Sequence, residues 1–258
     1  MCTGHIAAPA TLGGRRSMGA SGRESGFTLV EIAIVLVIIG LLIGSILKGQ
    51  EMINSARVRT LADTTMQTTA AYFGFVDRFR QVPGDWSAAN ATTAIGAVIA
   101  TGGNEDGAID HVVDTWSEPT GMWEQLSAAG FVQGAYIGAA TEPTAGSNSA
   151  PENPFNGLVL VGRTPDYVDP VASPPPARRY VLVGKFVPVD LMQELDTKID
   201  DGKPETGDLR VTTQAATIFA GTNNWGGYGA VACTATVSGA VVWDITSGPQ
   251  DCNGVFFF

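Results

Sequence analysis

From Phe27 to Leu47 polar side chains almost disappear. Eighteen of these twenty-one residues are neither charged, hydroxylic nor amide-bearing, and the exceptions are Thr28, Glu31 and Ser45. A run apolar on every face predicts a helix made for lipid, because a core helix of a soluble domain keeps one polar side. At 1.5 Å per residue it covers about 31 Å, the thickness of a hydrocarbon core. Beyond Leu47 the helical pattern continues with a different distribution. No proline occurs from Lys48 to Val82, and Leu61, Thr65, Thr68, Tyr72, Phe75 or Val76, and Phe79 recur at steps of three and four. That is one stripe of an amphipathic helix. The two halves read as a single helix from Phe27 to about Arg80, closed by "VPGDW" (Val82 to Trp86). Its second half must pack on a domain.

From Pro83 onward the pattern is short and turn-rich. "GGNEDGAID" (Gly102 to Asp110) is a turn cluster, and "EPTGMWEQLSAAG" (Glu118 to Gly130) predicts a short helix with Trp123 and Leu126 inward and Gly130 just past its end. "GLVLVGR" (Gly157 to Arg163) and "RYVLVGKFV" (Arg179 to Val187) read as strands around a proline-rich connection. In "VDLMQELDTKIDDG" (Val189 to Gly202), Leu191, Leu195 and Ile199 form an apolar stripe, Asp190 and Gln193 a capping pair, and Gly202 a stop. "AVACTATV" and "AVVWDIT" flank Ser238-Gly239, a tight hairpin signal. The fold class is therefore α+β, a long N-terminal helix packed against an antiparallel sheet.

Composition narrows the function. The net charge of −10 argues against general nucleic-acid binding, which relies on Lys/Arg–phosphate contacts. The N-terminus is not a secretory signal, since the small polar stretch "MGASGRESG" precedes the apolar run instead of following it. The basic flanks do not orient the span: Arg15, Arg16 and Arg23 precede it, and Lys48, Arg57 and Arg59 follow.

Gly26-Phe27-Thr28-Leu29-Val30-Glu31, abutting the apolar run, resembles the leader junction and N-terminal helix of type IV pilins and pseudopilins. The resemblance covers about sixty residues and implies a pilin-like fold. It implies that residues 1–26 are a leader removed by prepilin peptidase between Gly26 and Phe27, and that Phe27 is then N-methylated. Residues 27–82 would be the long helix, with 27–47 transmembrane, and 83–258 an extracytoplasmic head. Glu31 would be the assembly residue, pairing with the Phe27 amine of a neighbouring subunit. Its lipid-embedded carboxylate would otherwise be costly, the alternative being that it snorkels to the headgroups. Counted from Met1 the leader has 26 residues, and counted from Met18 it has nine. Gly40 and Gly44 form a G-x-x-x-G pair that lets helices approach closely in lipid.

With the leader gone, Cys233 and Cys252 remain, a pair suited to one disulfide in an oxidising compartment or, alternatively, to two buried thiols. The resemblance favours a disulfide-closed C-terminal region. Asp196, Asp200 and Asp201 crowd the C-terminal end of a helix, where the macrodipole disfavours acids. A calcium ion would reverse that penalty, and the resemblance allows one, since some pseudopilins hold calcium in a loop near the C-terminus; a solvated acidic turn is the plainer reading. Enzymatic signatures are missing: His111 would be the mature chain's single histidine, and "GTNNWGGYG" (Gly221 to Gly229) lacks the Lys-Ser/Thr of a phosphate loop. Its Trp225 and Tyr228 read as turn-anchoring aromatics or an adhesive patch. The function expected is a type IV pilus subunit, stored in the inner membrane as a single-pass precursor and polymerising with identical or related subunits into an extracellular filament. A pseudopilin of a type II secretion system is the alternative within the family. A single-span anchored domain that never polymerises is the alternative of another class.

Overall fold

A computed structural model describes residues 26–110, 116–213, 230–248 and 251–258. His111 and the 221–229 stretch lie outside them. The long helix, α1 (Leu29–Phe79), runs unbroken for 51 residues and stops where Arg80 takes a left-handed φ of 57°. The chain divides into two units between Lys48 and Gly49. In the first, every residue from Gly26 to Lys48 is exposed.

The second unit holds the core. There α1 buries Val58, Leu61, Thr65, Thr68, Tyr72 and Phe75, the predicted stripe extended one turn towards the N-terminus. The buried threonines satisfy their own hydroxyls. Thr65 Oγ1 donates to the Leu61 carbonyl at 2.9 Å and Thr68 Oγ1 to that of Thr64 at 2.7 Å. The helix thus buries polar residues without leaving a donor unmatched.

Two short helices follow, α2 (Ala88–Ile95) and α3 (Ser117–Ala128). α3 ends as predicted at Gly130 (φ 80°), with Gly130 N–H bonded to Ser127 O and Phe131 N–H to Leu126 O. That pair of bonds is a Schellman closure. Its interior was only half legible, because not just Trp123 and Leu126 but all of Glu118–Leu126 is buried. Its polar side chains saturate the loops around it. Gln125 accepts from Gly84 N–H (2.9 Å) and donates to Trp86 O (2.8 Å), and Glu124 accepts from Ala100 and Thr101 N–H.

Strands β1 (Leu160–Thr164) and β2 (Arg178–Leu182) pair antiparallel, with Val161 opposite Val181. β2 stops well short of the predicted Val187, because Gly184 (φ 97°) and Phe186 (φ 67°) leave the extended region. Asn153 holds that bend, donating to Val183 O and Lys185 O while accepting from Phe155 and Gly157 N–H. Next come α4 (Val189–Ile199), β3 (Leu209–Val211), α5 (Ala230–Cys233), β4 (Thr234–Val237), β5 (Ala240–Trp243) and β6 (Gly254–Phe257). The antiparallel sheet runs β1-β2-β6-β3, and β4-β5 form a separate hairpin. Its turn residues, Ser238 (φ 52°) and Gly239 (φ 84°), both take the positive φ of a type I′ turn. "AVAC", expected as strand, is helical instead. β6, in "GVFFF", is an inner strand, with Phe257 and Val255 buried. The expected α+β layout, a long helix packed with an antiparallel sheet, is the one observed.

The α4 stripe is as expected: Leu191 and Leu195 are buried with Met192, and Ile199 packs alongside. Its cap is not. Pro188 occupies the N-cap, no side chain caps the helix, and Asp190 lies in the first turn rather than pairing with Gln193. Proline suits that place because it has no N–H to satisfy. Cys233 and Cys252 are both fully buried and joined by a disulfide, which ties the β4–β5 hairpin to the residue two places before β6. Closing a loop of this size contributes about 3 kcal/mol in the chain-entropy account.

Candidate functional site

The start of α1 collects the chemistry. Phe27 is 83% exposed, and Thr28 precedes the first helical residue. Thr28 N–H and Thr28 Oγ1 both donate to Glu31 Oε2 at 2.8 Å, and Glu31 N–H points back to Thr28 Oγ1 at 3.3 Å. This reciprocal bonding is a capping box. Its signature, Thr-x-x-Glu ahead of an apolar run, is present in the sequence but was overshadowed by the glutamate's other role. Glu31 Oε1 has no hydrogen-bond partner among the described residues. One oxygen therefore secures the helix start while the other remains an acceptor in an apolar surround.

Ser45, the remaining polar residue of the run, donates to Leu41 O at 2.8 Å, so it too is satisfied within its own helix. A Cβ placed on Gly40 or Gly44 would meet nothing within 4 Å, so both faces are open to another helix. The helix is long and apolar enough to cross a membrane, with a mean hydropathy of 2.9 over its most apolar window and none of that window buried. Large side chains such as Leu36, Leu41 and Ile46 stay exposed around the whole circumference. A surface of that kind calls for lipid or another apolar helix.

The acidic triad sits elsewhere, at the C-terminal end of α4. One oxygen each of Asp196, Asp200 and Asp201 lies within 4.8 Å of the others, close enough for one divalent cation to bridge. All three carboxylates already accept hydrogen bonds. Buried Asp196 takes Trp243 Nε1–H (2.7 Å) and Gly202 N–H (3.2 Å). Asp200 Oδ2 takes the amides of Asp208 and Leu209, and Asp201 takes Lys203 N–H and the Thr206 hydroxyl. Together they clasp the chain after α4 and anchor the hairpin through Trp243. Burial raises the Asp196 pKa to about 6, against the lowering effect of the Trp243 bond.

Residues 21–47 match the family described as the prokaryotic N-terminal methylation motif. Comparison with curated proteins returned no match, and neither did comparison with solved structures. The matched stretch is the prepilin-type cleavage and methylation signature of type IV pilins and pseudopilins, and it contains Gly26, Phe27, Glu31, Gly40 and Gly44. Together with the exposed apolar helix it fits a membrane-anchored precursor of the pilin or pseudopilin kind, processed by prepilin peptidase. The head lies outside the match.

Proposed function

We propose that the chain is the precursor of a type IV pilus subunit. Prepilin peptidase cuts it between Gly26 and Phe27, the new Phe27 amine is methylated, and the apolar half of α1 then polymerises with identical or related subunits into an extracellular filament. The observation that carries this reading is Glu31: a carboxylate one turn inside an apolar helix, with one oxygen engaged by Thr28 and the other free. In a low-dielectric filament core the free oxygen would accept the charged amine of a neighbour's Phe27. Any other axial stagger would leave both charges unpaired, so the pair sets register. Gly40 and Gly44 give the neighbouring helix room to approach.

The cut is tested first. Mass spectrometry of the purified protein should return a methylated Phe27 as N-terminal residue, whereas an intact Gly26–Phe27 bond in a peptidase-bearing host fits only a non-polymerising anchored domain. Glu31→Leu should leave the protein membrane-inserted and cleaved while surface filaments fall at least about tenfold, the equivalent of losing one well-placed ion pair. Wild-type filament yield from this variant would defeat the proposal. Deleting the gene separates pilus from secretion pseudopilus: loss of surface filaments supports the pilus, and retained filaments with loss of exported enzymes support the pseudopilus.

A further inference from the structure

Three of the chain's fifteen basic residues, Arg163, Arg178 and Arg179, meet at one cleft on the head. Arg163, on β1, and Arg179, on β2, are directly opposed in the antiparallel ladder. Like charges at opposed positions are destabilising, because their Cβ atoms stand about 5 Å apart. Neither guanidinium is in an ion pair among the described residues, although Asp and Glu outnumber Lys and Arg by 25 to 15 in the chain. Both line a cleft of about 400 Å³ together with Arg178, Ala108, Ile109 and Phe258.

The cleft is also held in shape. Arg179 stacks over Tyr72 with its central carbon 4.6 Å from the ring centre, and Arg178 stacks over Phe257 at 4.2 Å. Stacked guanidiniums lose less freedom on binding a ligand than mobile ones. Arg178 is shared with Asp208 (3.4 Å), and Arg163 Nε donates a long 3.4 Å bond to Ala177 O. The carboxylates of the adjoining loop are spent on backbone amides: Asp85 on Asp106 and Gly107, Asp106 on Ala108, Glu118 on Asp110. These carboxylates shape the loop, and none of them forms an ion pair with Arg163 or Arg179 among the described residues.

We propose that this cleft is a binding site for a tetrahedral oxyanion, a phosphoryl group carried by a small ligand. One carboxylate has two oxygens and saturates one guanidinium fork. A phosphoryl group offers three, so it can accept from Arg163 and Arg179 at once and turn their repulsion into a bridge. The site is independent of the filament reading, since every residue in it belongs to the head.

The experiment is isothermal titration of the full chain in a non-ionic detergent with inorganic pyrophosphate at low salt. One saturable site is expected. Arg163→Gln should weaken it about tenfold or more, the effect of losing a charge-assisted fork. Because Arg163 is exposed and its charge opposes that of Arg179, the melting temperature of that variant should not fall. Arg179→Lys keeps the charge but loses the fork and the Tyr72 stack, and should weaken binding by an intermediate factor. Citrate should bind several-fold more weakly than pyrophosphate. Absence of a saturable signal up to about 10 mM pyrophosphate, a range that would detect even millimolar affinity, overturns the site. So does undiminished binding in Arg163→Gln, and equal binding of citrate overturns its preference for phosphoryl groups.

Discussion

At the residue scale Glu31 has two tasks that use different oxygens. Oε2 closes the capping box with Thr28, and Oε1 is left for a cation. If the box fixes the carboxylate's direction, Thr28 acts on assembly through Glu31. Thr28→Val removes the hydroxyl at nearly constant shape and should cost about 1 kcal/mol at the helix start. Filament yield, measured by shearing and immunoblot, should then fall by about fivefold, less than for Glu31→Leu, while cleavage at Gly26 continues. A second residue with a measurable signature is Glu118, on α3. Burial raises its pKa to about 7, and Asp85 and Asp110 push the same way against the amides of Asp110 and Asn104. The folded protein therefore keeps the proton longer than the unfolded chain does. That stabilisation is complete below pH 4.5 and is lost as the pH rises through about 7, a change on the order of 3 kcal/mol. Glu118→Gln cannot ionise, so denaturant unfolding of this variant between pH 4.5 and 7.5 should lack that part of the wild-type slope.

At the scale of elements, legibility followed the length of the pattern. α1 was readable because a stripe from Leu61 to Phe79 repeats over five turns, and the hairpin because Ser-Gly alone suits its turn. β3 and β6 were not readable: they have three and four residues, and pairing across the sheet, not local pattern, makes them strands. β2 is shorter than its apolar run predicts because Asn153, thirty residues from Val183, holds the bend after Leu182. The site divides in the same way. Gly26, Phe27 and Glu31 form one continuous motif, whereas the Arg163–Arg179 opposition exists only once β1 and β2 are in register. The acids after α4 show a third case, in which the sequence locates a cluster but not what it is for. Their oxygens hold Trp243, the Thr206 hydroxyl and four backbone amides, so the clasp is formed by hydrogen bonds. Adding EDTA should move the melting temperature by less than about 2 °C, since no metal-linked binding energy needs to be invoked. A larger drop, reversed by calcium, would assign the triad to a cation.

At the scale of the molecule the two units contribute to different equilibria. No residue from Gly26 to Lys48 is buried, and the first buried residue of α1 is Val58, so folding of the monomer gains nothing from the apolar half. That half is stabilised instead by lipid before assembly and by other helices after it. Both core clusters, the disulfide and the four-stranded sheet belong to the unit beginning at Gly49. The retained part of α1 carries the stripe that packs on the sheet, and the exposed acids of the head oppose association. A chain starting at Gly49 should therefore dissolve without detergent, remain monomeric in sedimentation and keep the Cys233–Cys252 bond. Its melting temperature should lie within about 3 °C of that of the full chain, a shift equivalent to less than about 1 kcal/mol for a domain of this size. Aggregation of an oxidised, correctly expressed head would mean that the apolar half stabilises the fold, and the separation of folding from assembly would fail.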